Sequence, residues 1–331
     1  MKTIIPLNGL WKLWYFEPGM GEKEFVYKKQ YIDERWMDIE IPNDIRVALL
    51  KYGIINEPYK DKNVEKQYWI EEKEWWFRKR FTVTRSQVDG CRAKLIFEGL
   101  DGICKIWLNG KELGMHKNMF RPFVMDVTEL LSLDSENVLV VKFEPIKKYL
   151  EEMWKKKPLD GGNYKPRVYI RKARFSFLWD WAPRLVTIGI WRPVKLLFEK
   201  DIVIDDIFVK PIKVNKSIAE IELQLEIRSM EEREEEVTIN VNLLHCQSNE
   251  IVLSEQFNRK ISPGKSKLSF KLTLENPKLW WPNGIGEQNL YIVSIGIMKG
   301  SQVLDLERKR FGIRDVKLLQ EPLGKEGTSF T

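Results

Sequence analysis

The sequence predicts an all-β chain built as two successive β-sandwiches. Three observations carry that expectation. Apolar and charged residues alternate with period two through several segments. Short turn signals rich in Gly, Pro, Asn or acidic residues separate those segments. The 331 residues, at roughly 150 per domain, make about two domains.

In the first 200 residues the strand candidates are Phe77–Val83, Ala93–Leu100, Lys105–Leu108, Val138–Phe143 and Val194–Glu199. Asn109-Gly110 follows Ile106-Trp107-Leu108 and reads as a hairpin, since both residues accept the positive φ of a tight primed turn. Two stretches read as helix. Ile45–Tyr52 is short and apolar, and Lys147–Lys157 places its acids before its bases, as a helix dipole prefers. Pro158, Gly161, Gly162 and Pro166 then forbid regular structure. The boundary between units is expected near Lys200–Asp205.

Beyond it the alternation is cleaner. Ile221, Leu223, Leu225 and Ile227 share one face of Ala219–Ser229, with Glu220, Glu222, Gln224 and Glu226 on the other. Val237, Ile239, Val241 and Leu243 repeat the pattern, as do Leu268, Phe270, Leu272 and Leu274. Glu231–Glu236 and Ser262-Pro263-Gly264 mark turns. Strands at this spacing over about 100 residues predict an immunoglobulin-like sandwich without the antibody disulfide.

Composition narrows the function. Apolar residues are 43% of the chain, enough to offset the entropy of ordering, so a disordered chain is excluded. The net charge is +7, but 48 acids are interspersed among 55 bases. The densest basic cluster is Lys155, Lys156, Lys157, Lys165, Arg167, Arg171, Lys172 and Arg174, read as a solvated loop with a few functional charges. No nucleic-acid-binding motif accompanies it, and no nucleic acid partner is expected. Cys91, Cys104 and Cys246 are odd in number and far apart, which indicates neither a disulfide framework nor a zinc knuckle. With His116 and His245 as the sole histidines, no metal and no cofactor is expected. His245-Cys246 reads as a surface pair at a strand end. No G-x-S-x-G nucleophile elbow occurs. Pro6 and Asn8 interrupt the N-terminal apolar stretch too early for a signal peptide. No run approaches the ~18 apolar residues of a membrane helix. The expectation is a cytoplasmic chain with no membrane contact.

The 13 Trp are the unusual count, and flat aromatic faces serve either sandwich cores or sugar stacking. The informative segment is Arg171–Pro193, where Asp180 stands between Trp179 and Trp181. An ionised carboxylate among aromatic rings needs charges or donors. Arg171, Lys172, Arg174 and Arg184 are near in sequence, so one reading is a buried Asp–Arg pair that staples a loop. The other is a ligand. A carboxylate accepts two sugar hydroxyls while an indole covers the apolar face of a pyranose. Chemistry alone favours the staple.

This segment, Arg-Lys-Ala-Arg-Phe-Ser-Phe-Leu-Trp-Asp-Trp-Ala-Pro-Arg-Leu-Val-Thr-Ile-Gly-Ile-Trp-Arg-Pro, resembles a characteristic stretch of the β-mannosidases of glycoside hydrolase family 2. Four others agree in order: Trp75-Trp76-Phe77-Arg78-Lys79-Arg80-Phe81; Phe97-Glu98-Gly99-Leu100-Asp101 with Trp107-Leu108-Asn109-Gly110; Asn276 to Tyr291, containing Leu279-Trp280-Trp281-Pro282; and Arg310-Phe311-Gly312-Ile313-Arg314. Leu178 and Ala182 depart from the glycines that the family often has around Trp-Asp-Trp.

The resemblance implies a jelly-roll, galactose-binding-like domain over 1–200, an immunoglobulin-like domain over 201–316, and over 317–331 the start of a linker to a (β/α)₈ catalytic barrel. No eightfold βα alternation occurs in the sequence, so both catalytic glutamates are expected to be absent, and no residue here is assigned as catalytic. The implied function is sugar recognition and scaffolding for a retaining exo-β-mannosidase acting on β-mannoside oligosaccharides together with that barrel. Asp180 would bind mannose hydroxyls, Trp179 and Trp181 would shape the wall, and Arg171 and Arg184 would support Asp180. Core packing is as good a reading of Trp181. Trp280-Trp281-Pro282 is expected to pack at a domain junction, and Trp11, Trp36, Trp69, Trp75, Trp76 and Trp107 in the sandwich core. Alternatives are an autonomous carbohydrate-binding protein and a relative of the exo-β-glucosaminidases. Oligomeric state is not readable from the sequence.

Overall fold

The computed structural model describes residues 2–88, 90–159, 167–178, 182–318, 320–322 and 328–330. They form two compact units, Thr3–Phe198, and Glu199–Thr331 with Lys2.

In the first unit the strands are β1 (Thr3–Pro6), β2 (Gly9–Phe16), β3 (Met37–Ile41), β4 (Glu74–Thr82), β5 (Arg92–Phe97), β6 (Leu100–Asp101), β7 (Cys104–Leu108), β8 (Lys111–His116), β9 (Phe123–Asp126), β10 (Glu136–Phe143), β11 (Gly189–Ile190) and β12 (Val194–Glu199). A six-stranded sheet, in the order β3-β2-β4-β10-β7-β8, lies against a four-stranded sheet, β1-β12-β5-β9, and β6 and β11 form a short antiparallel pair. The jelly-roll core lies between the two larger sheets. Trp11 and Leu13 of β2, Trp75 and Phe77 of β4, and Leu139, Val141 and Phe143 of β10 meet Leu95 and Phe97 of β5 and Leu196 and Phe198 of β12. Burial of so much apolar surface is the dominant favourable term in folding.

The aromatic residues do not all serve that core. Trp11 and Trp75 lie in it, and Trp69 packs at its margin. Trp36, Trp76 and Trp107 form a second cluster with Val26, Val138 and Val140. The reason is strand alternation: Trp75 and Phe77 face inward, so Trp76 between them faces the other side. That outer face is covered by the excursion between β2 and β3. Gly19 and Gly21 donate their backbone N–H groups to buried Glu74, at 2.9 and 2.7 Å. Buried Arg78 donates to Asp33 at 2.8 Å and to the carbonyl of Val26. The polar positions of β4 thus hold a lid over its own tryptophan. The Trp76 and Trp107 rings stack with centroids 5.5 Å apart.

The expected hairpin is present. Leu108 pairs with Lys111, and Asn109 and Gly110 both have positive φ, 52° and 83°. Asn109 also ties the turn to β10, donating to Asn137 at 2.8 Å and accepting from the Val138 N–H at 2.9 Å. The expected strand Ala93–Leu100 is broken: β5 ends at Phe97, and β6 starts at Leu100 and pairs with β11 instead. The helices run over Ile45–Lys51 and Ile146–Lys156. Most of the irregular stretch expected after the second falls on 160–166, outside the described residues.

The second unit contains β13 (Ile202–Val214), β14 (Ile218–Ser229), β15 (Glu235–His245), β16 (Ile251–Ile261), β17 (Gly264–Glu275), β18 (Tyr291–Lys299) and β19 (Gln302–Phe311). A three-stranded sheet, β13-β14-β17, faces a four-stranded one, β16-β15-β18-β19, in an immunoglobulin-like sandwich. Ile221, Leu223, Leu225 and Ile227 meet Val237, Ile239, Val241 and Leu243 in its core, as their alternation requires. The acidic turn is shorter than expected: Glu235 already belongs to β15, and its carboxylate pairs with Lys299 at 2.6 Å. His245 ends its strand but is not on the surface. It is 6% exposed and packs edge-on to Tyr291, ring centroids 5.6 Å apart. Trp280 and Trp281 flank the guanidinium of Arg314, at 5.7 and 5.6 Å. At the end of the chain Gln320–Pro322 pairs antiparallel with Thr328–Phe330.

Candidate functional site

The segment singled out by the sequence runs from Arg171 to Pro193 in the first unit. Trp179, Asp180 and Trp181 lie outside the described residues. The chain on both sides of them is described, and three sets of interactions organise it.

The first is apolar. Phe177 and Val186, which flank those three residues in sequence, pack with Ile103 and Ile170 against Ile146 and Leu150 of the helix Ile146–Lys156. The helix presents these two residues on one face because they are four apart. The second is backbone hydrogen bonding. The Leu185 N–H donates to the Ser176 carbonyl at 3.0 Å, drawing the two arms together. The Met119 N–H donates to the Arg171 carbonyl at 3.0 Å, and the Ile45 N–H to the Ile188 carbonyl at 3.0 Å. Gly189 permits the second approach, because a Cβ there would stand 2.4 Å from the Asn43 carbonyl oxygen.

The third is a set of buried charges. Lys172 Nζ donates to both carboxylate oxygens of Asp101, at 2.5 Å each, and to Thr187 Oγ1 at 2.7 Å. Thr187 in turn donates to Asp101 Oδ2 at 2.5 Å. Burial pulls the Lys172 ammonium below the ordinary lysine value, and the Asp101 charge opposes that pull. Arg184 forks onto Glu71 through two bonds of 2.5 Å. Burial pushes the Glu71 carboxyl up, against the Arg184 charge. Arg46 Nη1 donates to the Val186 carbonyl at 2.6 Å, and Asp44 accepts from the Ile188 N–H at 2.7 Å and the Arg46 N–H at 2.8 Å. Desolvation also raises the Asp44 carboxyl.

The basic cluster divides: Lys172 and Arg167 are buried, at 4% and 9% exposure, while Arg171 and Arg174 are exposed. Arg184 has its charge matched by Glu71, more than a hundred positions away in sequence, a carboxylate that sequence proximity to Asp180 could not indicate. Asp44, Glu71 and Asp101 were likewise not singled out. Asp101 closes the Phe97–Asp101 motif, and the sequence held no other signal that it pairs with Lys172.

Chemically, this arrangement orients rather than reacts. Asp101 and Glu71 are each bonded to a cation, and Asp44 to backbone donors. Among the described residues no three His, Cys, Asp or Glu side chains gather as metal ligands. Backbone geometry is special at one point: Leu178 has φ 88°, ψ 126°, a region that glycine adopts freely and leucine does not.

Comparison with known proteins bears on both units. A family model described as the glycosyl hydrolase 2 galactose-binding domain-like matches residues 14–192, and one for glycosyl hydrolases family 2 matches residues 202–314. A beta-mannosidase B of Thermothelomyces thermophilus is 28% identical over 335 residues, 99% of this chain and 36% of that protein. A beta-mannosidase B of Aspergillus terreus is 30% identical over 303 residues, 90% of this chain and 34% of that one. The crystal structure of a beta-D-mannosidase from Dictyoglomus thermophilum superposes with a TM-score of 0.84 at 33% identity, covering 99% of this chain and 38% of that one. A beta-glucuronidase from glycoside hydrolase family 2 shares the fold, with a TM-score of 0.66 at 20% identity, covering 95% of this chain and 30% of that one. The chain spans about a third of the length of the curated relatives it matches.

Proposed function

This chain belongs to glycoside hydrolase family 2, and from that premise we propose that it forms the sugar-recognition and scaffold domains of a retaining exo-β-mannosidase that removes terminal β-D-mannose. The observation that carries the reading is the likeness to the Dictyoglomus thermophilum beta-D-mannosidase, 33% identical across 99% of this chain. The Trp179-Asp180-Trp181 segment adds a chemical reason, since a carboxylate between indoles suits a pyranose.

In this reading Asp180 holds mannose hydroxyls remote from the scissile bond, and Trp179 and Trp181 shape the wall. Such remote contacts supply energy that is used in the transition state. Arg171 and Arg184 support Asp180, with Arg184 itself held by Glu71. The acid/base and nucleophile belong to a (β/α)₈ barrel, in the part of the relatives that this chain does not span. The substrate is a β-mannoside oligosaccharide, and neither nucleic acid nor membrane takes part. A cytoplasmic location is part of this proposal; among the described residues no helix is long and apolar enough to cross a membrane.

The test is hydrolysis of an aryl β-mannoside by the purified 331-residue chain and by the same chain joined to a family barrel. The joined protein turns the substrate over and the shorter one does not. Turnover that follows the folded 331-residue chain through repurification would mean that it carries its own catalytic pair.

A further inference from the structure

Buried charges meet at the two ends of the stretch 173–186. Lys172 stands immediately before the stretch 173–186, and Thr187 immediately after it. Both bond the same carboxylate, Asp101, and each other. Lys172 is 4% exposed and Asp101 3%. Three polar side chains thus close a ring across the two ends of one loop. Closing a flexible loop costs entropy that grows with its length, so fixing its ends restricts everything between them. Desolvation of the ammonium and carboxylate makes each dependent on the other, because a lone buried charge is costly.

We infer that the Lys172–Asp101–Thr187 clasp is the positioning device of the recognition loop, tying together its two ends at Lys172 and Thr187. This rests on the recognition role proposed above for Asp180. None of the three clasp residues touches the substrate; they act through the loop they close. Burial pulls the Lys172 ammonium down and the Asp101 charge opposes that pull only in part, so loss of either partner leaves the other poorly compensated. The bridging position of Thr187 makes the clasp directional, since its hydroxyl accepts from the lysine and donates to the aspartate.

Two measurements test it. Thr187→Val removes one hydroxyl at nearly constant shape, and Lys172→Met removes the charge. In the 331-residue chain, amide exchange of residues 173–178 and 184–186 should accelerate in both variants, while β4 and β10 keep their protection. Unchanged exchange in that loop overturns the proposal. In the complete enzyme, Thr187→Val should lower kcat/KM for an aryl β-mannoside, and Lys172→Met should lower it by about a hundredfold, the scale of a misplaced contact. Combined with Asp180→Asn, neither variant should add its full loss, because both act through one contact. Losses that multiply independently overturn the positioning role even if exchange changes. If Asp180→Asn alone costs nothing, the sugar-recognition reading fails. The exchange result then decides by itself whether the clasp sets the loop. Thr187→Val keeps the ion pair, so the test survives if Lys172→Met fails to fold.

Discussion

Leu178 holds a backbone conformation with φ 88°, and its side chain is 42% exposed, so little packing repays the strain. A non-glycine residue on the left-handed side costs roughly 1–2 kcal/mol. Leu178→Gly removes that cost and loses about 0.5–1 kcal/mol of unfolded-state restriction. The expected Tm is unchanged or slightly higher; a fall of several degrees would show that the leucine side chain stabilises the loop. Arg184 poses the opposite case. Its fork holds a carboxylate, Glu71, whose side chain is 1% exposed. Arg184→Met leaves that charge buried and should cost about 3–5 kcal/mol in denaturant unfolding, with Arg184→Met/Glu71→Met recovering most of it. A single variant as stable as the parent would mean that the pair contributes nothing to folding.

Along β4 every residue from Glu74 to Arg78 is buried, because the strand is covered on both faces. The run Trp75-Trp76-Phe77 announces burial but not which tryptophan belongs to which layer. The second layer depends on the excursion between β2 and β3, which carries no period-two signal. Its charges make it sensitive to pH. Burial pushes Glu22 up, but the hydrogen bond and charge of Lys142, with Lys105, outweigh it and hold the carboxyl below 4.5. Burial pulls Lys142 down, but hydrogen bonds to Glu144 and Glu22 outweigh it and hold the ammonium above 10.5. The Glu22 contribution is therefore complete above 4.5 and is lost as pH falls through its lowered folded value. The Lys142 contribution is complete below 10.5 and is lost as pH rises through its raised folded value. The Tm difference between the parent and Lys142→Met should be greatest between 4.5 and 10.5 and shrink on both sides. A difference that does not vary with pH would assign the effect to packing alone. Strands with one wet face, such as β14 and β15, were legible because alternation reports a single interface directly. The clasp at Lys172 and the fork at Arg184 were not, because pairing across 71 and 113 positions leaves no local pattern.

At the scale of the whole molecule, each sandwich has its own apolar core. Cys91, Cys104 and Cys246 are unpaired, and burial pushes the Cys104 thiol well above the ordinary range. Thermal melts with and without chelator, and with and without reductant, should coincide; a drop with chelator alone would reveal a structural ion. The central claim concerns recognition. In the complete enzyme Asp180 should hold sugar hydroxyls through charge-assisted bonds worth roughly 1.5–3 kcal/mol each. The measurement is kcat/KM for an aryl β-mannoside with Asp180→Asn, which keeps the shape and removes the charge, with Tm as the folding control. A loss on the order of a hundredfold or more at unchanged Tm is the result predicted. Unchanged kcat/KM, or a loss that only tracks a lower Tm, would contradict a recognition role and leave Asp180 as a staple of its loop.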